Sequence, residues 1–231
     1  MPRLVEGSKR MRASREGHDP QQALPIEQAV VKVKSFKPTK FDQTIDICIH
    51  LGIDAKQDDQ RLRGAISLPH GVGKSKKVVA FCGDDKVEDC LKAGAIEAGG
   101  AALVKKINDG WMDFEVAVAS PEMMRIVAPL GRVLGPKGLM PSPKSGTVAA
   151  DIVTAVREYG AGKVEFRNDD GGNVHAPVGK MSFDAPKLLQ NVQAFLDHVL
   201  RLKPSSAKGQ YIKRITLSGT MTPGVRIQIP S

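Results

Sequence analysis

One segment of the chain combines cationic side chains, open backbone amides and no carboxylates, which is the chemistry of polyanion binding. Residues 123–150 contain no Asp or Glu, and they carry Arg125, Arg132, Lys137 and Lys144. Within them, residues 135–147 hold three prolines and three glycines, which disfavour both helix and central strand. The pattern predicts a shaped loop whose lysines and amide N–H groups suit phosphate oxygens. A proline-stiffened surface connector is the alternative.

The motif most typical of an enzyme is Gly71-Val-Gly-Lys-Ser75, which resembles the end of a phosphate-binding P-loop. Such a loop also requires a glycine five residues before Gly73, so that the backbone wraps the phosphates, and the chain has Leu68 there, followed by Pro69. No spacing of Ser, His, Asp or Cys indicates a catalytic set. We therefore predict no enzymatic activity, no catalytic residue and no cofactor. A P-loop-like nucleotide-binding enzyme is the disfavoured alternative.

The cysteines and histidines show no metal-binding pattern. The three cysteines, at positions 48, 82 and 90, form no Cys-x-x-Cys pair, and their odd number argues against a disulfide framework. The five histidines are scattered along the chain. We expect reduced thiols and no bound metal.

Two further segments offer groups for nucleic-acid recognition. Lys40, Phe41 and Thr44 lie just ahead of an alternating strand, and residues 218–224 form a hydroxyl-rich turn flanked by Lys213, Arg214 and Arg226. Hydroxyls beside cations suit contacts to phosphate and to the ribose 2′-OH, although ordinary hairpin turns also contain such residues. Phe41 has two interpretations: it opens the buried face of the strand, or it packs on a ribose or base.

The net charge of +9 is unevenly distributed over the 231 residues. Residues 1–68 hold 12 basic and 9 acidic residues, residues 69–158 hold 12 and 11, and residues 159–231 hold 10 and 5, which gives +3, +1 and +5. A domain built from both ends would hold +8, which favours an acidic partner. Because no apolar run is long enough for a membrane span and no secretory signal is present, we expect a cytoplasmic protein without a membrane partner.

The elements at the two ends of the chain are typical of an α+β fold. We predict a solvated arm over residues 1–24, then a helix from Pro25 and a half-buried strand over residues 45–51. The pattern returns to strands after Gly160. The clearest helix has an apolar face from Leu188 to Leu200, with Ser182 or Asp184 as its cap and Pro204 as its stop, and two strands end the chain.

The middle of the chain alternates strand and helix. Strands are predicted at residues 78–81, 103–104 and 114–118, and a helix is predicted from Pro121 through Leu130. This order is typical of a layered α/β domain with parallel strands. The chain crosses between the two patterns twice, and two crossings favour a double hinge.

Eight blocks of the sequence occur in the order of the bacterial large-subunit ribosomal protein L-one family. They are Lys40-Phe-Asp-Gln-Thr44, Leu51-Gly-Ile-Asp54, Arg63-Gly64, Leu68 to Lys74, Asp109 to Asp113, Leu130 to Thr147, Glu165 to Asn168 and His175 to Lys180. The chain therefore resembles this family over nearly all of its length, and the proline-glycine-lysine loop is the most diagnostic block.

The resemblance implies both an architecture and a function. The architecture is a discontinuous α+β domain of residues 1–68 and 159–231, an inserted Rossmann-like α/β domain of residues 69–158, and a double hinge between them. The function is that of a non-enzymatic, ribosome-associated constituent of the large ribosomal subunit, monomeric when free, which binds large-subunit rRNA. Such a protein forms the mobile stalk involved in release of deacylated exit-site tRNA, and represses translation of its own operon by binding its mRNA.

The resemblance also assigns RNA-binding residues. The expected rRNA contacts are Lys40, Phe41, Thr44, His175, Lys180, Thr220 and Met221, and the expected additional RNA contacts are Lys137, Lys144 and Arg214. One position departs from the family, which usually has Thr-Met-Gly where this chain has Thr220-Met221-Thr222. Because threonine tolerates positive φ poorly, we expect either a shifted turn or a less close approach of RNA there.

Overall fold

A computed structural model describes residues 8–229, apart from the side chain of Lys144. Within this range the chain folds as two compact units. Unit 1 comprises the chain up to Leu62, Leu68–Gly73 and the chain from Phe166, and unit 2 comprises Arg63–Ser67 and Lys74–Glu165. The domain boundaries at residues 68–69 and 158–159 and the double hinge stay predictions.

The structure has the mixed α/β composition that the sequence predicts. The helices are α1 (Lys9–Arg15), α2 (Ile26–Ser35), α3 (Val87–Lys92), α4 (Ala101–Asn108), α5 (Met124–Val127), α6 (Gly131–Leu134), α7 (Ile152–Gly160) and α8 (Ala185–Arg201). The strands are β1 (Ala23–Leu24), β2 (Thr44–Leu51), β3 (Arg63–Ile66), β4 (Val78–Phe81), β5 (Glu97–Gly99), β6 (Val116–Ala119), β7 (Val164–Arg167), β8 (Asn173–Lys180), β9 (Ile212–Gly219) and β10 (Val225–Ile227). Among the described helices, none combines the length and hydropathy of a membrane span.

Unit 1 is built on a five-stranded sheet with the strand order β1-β10-β9-β2-β8. The alternation predicted for β2 is confirmed: Ile45, Ile47, Ile49 and Leu51 are buried, and the residues between them are half-buried. The helices α2 and α8 contact each other and the sheet, so they cover the buried face. The opposite face carries polar side chains and is called the open face below.

The strand β8 carries an extra residue that shapes its end. Opposite β2, Gly179 pairs with Ile45 and Pro177 pairs with Asp46, so Val178 is bulged out of the register. The Nδ2 atom of Asn191, a fully buried residue of α8, donates to the Val178 carbonyl at 2.8 Å. Lys180, two residues further on, is therefore held by a bulge that α8 supports.

The prediction of a solvated arm over residues 1–24 is wrong for its described part. Residues 9–15 form α1, with Ser8 as its N-cap, and β1 pairs in parallel with β10. Nε2 of His18 donates to the carbonyl oxygen of Gly224 at 3.0 Å. Long-range contacts such as those of His18 and a two-residue strand hold this segment, and neither leaves a periodic pattern in the sequence. Residues 1–7 lie outside the described range.

Unit 2 is a three-layer α/β unit. Its three strands have the order β5-β4-β6 and are parallel, as predicted. One face of β4 packs with α7 through residues such as Val156, and the other packs with α4 and α6 through residues such as Ile107 and Leu134. The strands β3 and β7 form a separate two-stranded sheet.

Two predictions in unit 2 are wrong. Leu103 and Val104 belong to the helix α4, because with Ile107 they form one buried helical stripe, whereas the strand lies earlier, at Glu97–Gly99. The helix predicted through Leu130 is also interrupted: α5 ends at Val127, and Ala128–Leu130 is a 3-10 helix that contains a proline. Short apolar runs do not distinguish helix from strand, and proline removes a helical hydrogen-bond donor.

Candidate nucleic-acid interface

Several predicted RNA contacts meet at one end of the sheet of unit 1. Thr44 begins β2 and pairs with Lys180 at the end of β8, while Thr220 follows the end of β9. The Lys180 ammonium donates to the Thr44 hydroxyl at 2.9 Å. The Thr44 N–H donates to the Thr220 hydroxyl at 3.2 Å, and the Thr220 N–H donates to the Thr44 carbonyl at 3.0 Å. We call Lys40, Phe41, Thr44, Lys180, Thr220 and Met221 the strand-end site.

Gln43 holds the backbone of this site together. Its side chain is buried, and its Oε1 accepts from the Met221 N–H at 2.9 Å. Its own carbonyl accepts from the N–H of Met181 at 2.8 Å. Sequence reasoning missed this residue, although Gln43 continues the period-two pattern of the buried side chains of β2.

Phe41 does not open the buried face of β2, whereas its contact with RNA stays a prediction. Phe41 is 52% exposed and Met221 is 48% exposed, so neither opens the buried face of β2. The Thr39 hydroxyl donates to the Phe41 carbonyl at 2.7 Å, and Lys40 is exposed beside it. The site thus presents two apolar surfaces and a cation to solvent.

The departure at Thr222 needs no positive φ. Within residues 8–229, every residue with positive φ is a glycine, so Thr222 lies in an ordinary backbone region. Its hydroxyl accepts from the Gly219 N–H at 2.8 Å, and its N–H donates to the Gly219 carbonyl at 3.1 Å. The threonine side chain therefore closes the turn that carries Thr220 and Met221.

His175 does not join the strand-end site. It pairs with Cys48, four residues along β2 from Thr44, which corresponds to about 13 Å at 3.3 Å per residue. Its ring Nε2 lies 3.7 Å from Oδ2 of Asp169. His175 is exposed on the open face, away from the site to which the resemblance assigns it.

The open face also contains a concavity of about 560 Å³. Among the described residues, Lys213, Arg214 and Arg226 contribute cations to its lining, and no carboxylate does. The other lining residues are Cys48, His50, Asn173 and Thr216. Sequence reasoning pointed to Lys213, Arg214 and Arg226 but left out His50, although His50 lies at an alternating position of β2. The concavity offers phosphate-binding groups on the same face as His175.

A half-buried carboxylate, that of Asp46, also lies on this face, in addition to that of Asp169 beside His175. Asp46 is half-buried in β2, opposite Pro177 of β8 and Ser218 of β9. Burial raises the pKa of Asp46, and the charges of His175 and Lys180 partly offset that rise.

The proline-glycine loop of unit 2 is tightly anchored. Val148 forms a parallel bridge with Ala119 at the edge of the unit 2 sheet, and the hydroxyl of buried Tyr159 donates to the Ser145 carbonyl at 2.8 Å. Burial raises the pKa of Tyr159, which keeps its hydroxyl protonated as a donor. Lys137 is exposed, and its ammonium contacts the sulfur of Met112. The side chain of Lys144 lies outside the described part of the structure.

The P-loop-like motif has a different structure from a nucleotide-binding loop. The Nδ2 atom of Asn191 donates to the carbonyl of Gly71, the first residue of the motif, at 2.9 Å. Lys74 forms an ion pair with Glu115, and the chain continues into β4 instead of a helix. Within residues 8–229, no cluster of three His, Cys, Asp or Glu side chains is arranged to hold a metal ion.

Known proteins resemble this chain over nearly its whole length. The family model described as the ribosomal protein L1p/L10e family matches residues 33–223. A protein named large ribosomal subunit protein uL1 from Nitratidesulfovibrio vulgaris is 49% identical over 224 residues, covering 97% of this chain and 95% of the relative. Proteins of the same name from Protochlamydia amoebophila, 47% identical over 96% and 94%, and Chlorobaculum tepidum, 48% identical over 90% and 90%, are also similar.

Proposed function

This chain belongs to the ribosomal protein L1p/L10e family, and we propose that it is a non-enzymatic constituent of the large ribosomal subunit that binds large-subunit rRNA through unit 1. The observation that carries the proposal is the strand-end site. There, Lys180, Thr44 and Thr220 form one hydrogen-bonded group beside exposed Phe41 and Met221.

The site contains the groups that RNA recognition requires. The ammonium groups of Lys40 and Lys180 suit phosphate oxygens, and the hydroxyls of Thr44 and Thr220 suit the ribose 2′-OH. The exposed ring of Phe41 offers a surface on which a base or ribose packs, a contact that contributes about 1–3 kcal/mol per base in single-strand binding proteins.

The basic concavity of the open face extends this surface. Arg214, Arg226 and Lys213 line it without a carboxylate, so it suits phosphates of the same RNA. His175 lies on the same face and contacts RNA as a neighbour of the concavity.

The proposal also gives unit 2 a role in tRNA release and gives unit 1 a role in the regulation of translation. The anchored loop of residues 135–147, with Lys137 and Lys144, contacts the exit-site tRNA or rRNA. Motion about the two chain crossings forms the mobile stalk that assists release of deacylated tRNA.

Unit 1 also binds the mRNA of its own operon through the strand-end site and represses its translation. Free protein is monomeric and cytoplasmic.

The first experiment compares binding to the rRNA stalk fragment with binding to an unrelated RNA hairpin over a salt series. We expect tight binding to the fragment to survive at salt concentrations that release the hairpin. Equal, salt-sensitive binding to both RNAs would reduce the basic surface to a generic polyanion site and refute the specific function.

Matched variants locate the site. Lys40→Met removes a cation at the strand-end site, and Lys208→Met removes an exposed cation that precedes β9 and so lies at the opposite end of the sheet. We expect Lys40→Met and Phe41→Ala to weaken binding to the fragment at least fivefold, whereas Lys208→Met changes it less than twofold. Equal effects of the two lysine variants would contradict the location of the site.

A further inference from the structure

Asp46 is a half-buried carboxylate at the centre of the open face, whereas the other carboxylate near this face, that of Asp169, lies beside His175. Its neighbours two residues away on β2, Thr44 and Cys48, share its side of the sheet because side chains alternate. Its cross-strand neighbours there are Pro177 and Ser218. Asp46 thus lies between the strand-end site and the basic concavity.

The Asp46 carboxylate has charged neighbours but no hydrogen-bond donor among the described residues. The two groups that lower its pKa against the effect of burial are His175 and Lys180. The Lys180 ammonium donates to the Thr44 hydroxyl, and the His175 ring lies beside Asp169. The lone pairs of Asp46 therefore stay available to a ligand on the open face.

A half-buried acceptor without a donor is unfavourable, and a negative charge between two phosphate-binding areas repels the RNA backbone. Both costs fall if the bound RNA supplies a donor at this point. Phosphate oxygens only accept, whereas the N–H groups of bases and the ribose 2′-OH donate. A carboxylate in this position consequently discriminates between the two kinds of RNA surface.

We propose that Asp46 is a specificity-determining residue, which accepts a hydrogen bond from a base N–H or a ribose 2′-OH of the bound RNA and excludes phosphate from the centre of the open face. This inference rests on the proposed function. Phosphates then lie on either side, at Lys180 and at the concavity with Arg214 and Arg226, so the acceptor fixes the register of the RNA on the sheet.

The test compares how one substitution changes the affinity of the protein for two RNAs. Asp46→Asn retains the size of the side chain, removes the charge and weakens the acceptor. We expect it to lower affinity for the rRNA stalk fragment at least fivefold, and to raise affinity for the unrelated hairpin or leave it unchanged. Asp197→Asn makes the same charge change on an exposed position of α8 and should affect both RNAs alike.

Several results would overturn the inference. If Asp46→Asn strengthens or preserves binding to both RNAs, the carboxylate acts only as a repulsive charge. If it weakens binding and also lowers the thermal unfolding midpoint by several degrees, Asp46 has a structural role. If wild-type protein does not prefer the fragment, the proposed function itself fails, and that result is separate because it needs no variant.

Modified RNAs identify the donor. Fragments with single 2′-deoxy substitutions remove one hydroxyl, and inosine in place of guanosine removes one amino group. In a double-mutant cycle, the substitution that removes the true donor should weaken binding to wild-type protein more than it weakens binding to the Asp46→Asn variant, whose amide oxygen is a weaker acceptor. Additive effects for every substitution would contradict a direct hydrogen bond to Asp46.

Discussion

Asn191 offers a strong test of how the fold positions the site. Its side chain is fully buried and makes three hydrogen bonds: it donates to the carbonyls of Val178 and Gly71 at 2.8 and 2.9 Å, and it accepts from the His70 N–H at 3.1 Å. Leucine has a similar volume and makes none of them. Asn191→Leu therefore leaves three backbone groups without their partner.

The expected loss of stability depends on which of these three backbone groups water can reach in the variant. His70 is exposed and Gly71 is half-buried, so both rehydrate in part, but Val178 is fully buried. An unpaired buried carbonyl costs about 1–3 kcal/mol, and each lost hydrogen bond contributes about 1 kcal/mol. Against these losses stands the added apolar burial of leucine, about 1 kcal/mol. We expect the free energy of unfolding of unit 1 to fall by about 2–4 kcal/mol.

Urea unfolding followed by two signals measures this effect. Trp111, the only tryptophan of the chain, lies in unit 2, whereas far-UV circular dichroism reports both units. Asn191→Leu should move part of the dichroism transition to lower urea and leave the tryptophan transition in place. Gln190→Ala is the control, because it removes only an exposed hydrogen bond to His70. A dichroism transition within 0.5 kcal/mol of wild type would refute the reasoning about the bulge.

Three further predictions follow from single contacts. Tyr159→Phe removes the hydroxyl that holds the Ser145 carbonyl, and it should lower the stability of unit 2 by about 1–2 kcal/mol in urea unfolding monitored by tryptophan fluorescence. Thr222→Gly removes the acceptor for the Gly219 N–H and adds chain entropy to the unfolded state, so it should destabilise unit 1 by about 1–2 kcal/mol by circular dichroism. Alkylation should modify Cys48 first, slowly at pH 7 because burial and the Asp169 charge raise its pKa, and bound rRNA fragment should slow it.

Different observations would contradict each of these. An unchanged tryptophan transition in Tyr159→Phe would mean that the loop needs no anchor at Ser145. A more stable Thr222→Gly variant would show that threonine strains the turn. If the RNA fragment left alkylation of Cys48 unaffected while it bound tightly, the open face would lie outside the interface.

The sequence predicts the elements whose patterns are long and regular. The alternation of β2, the stripe of α8 and the parallel strands of unit 2 all depend on the burial of many side chains, so no single residue decides them. The secondary structure of short apolar segments cannot be predicted in the same way. Whether Leu103 and Val104 form a strand or a helix depends on how they pack with Ile107, which local pattern does not specify.

The side chains that position the backbone of the candidate site are buried and polar, so they interrupt the apolar patterns of their strand or helix. Gln43 continues the buried face of β2, and Asn191 lies within the apolar stripe of α8 next to Val192. A polar residue at a core position is a signal available in the sequence, since it requires a hydrogen-bond partner. The partners of these side chains, at residue 221 for Gln43 and at residues 70, 71 and 178 for Asn191, become known only from the fold.

The hydrogen bonds within the strand-end site also limit what its hydroxyls can do for RNA. The Thr220 hydroxyl accepts from the Thr44 N–H and donates to the Thr44 carbonyl, so its remaining lone pair can only accept. The Thr44 hydroxyl accepts from Lys180, which leaves its own proton to donate. Removing the Thr220 hydroxyl would therefore disturb the turn as well as any RNA contact, and loss of binding in Thr220→Val would not by itself identify that contact. Asp46 makes no such internal bond among the described residues, so its replacement changes recognition with little change in the fold.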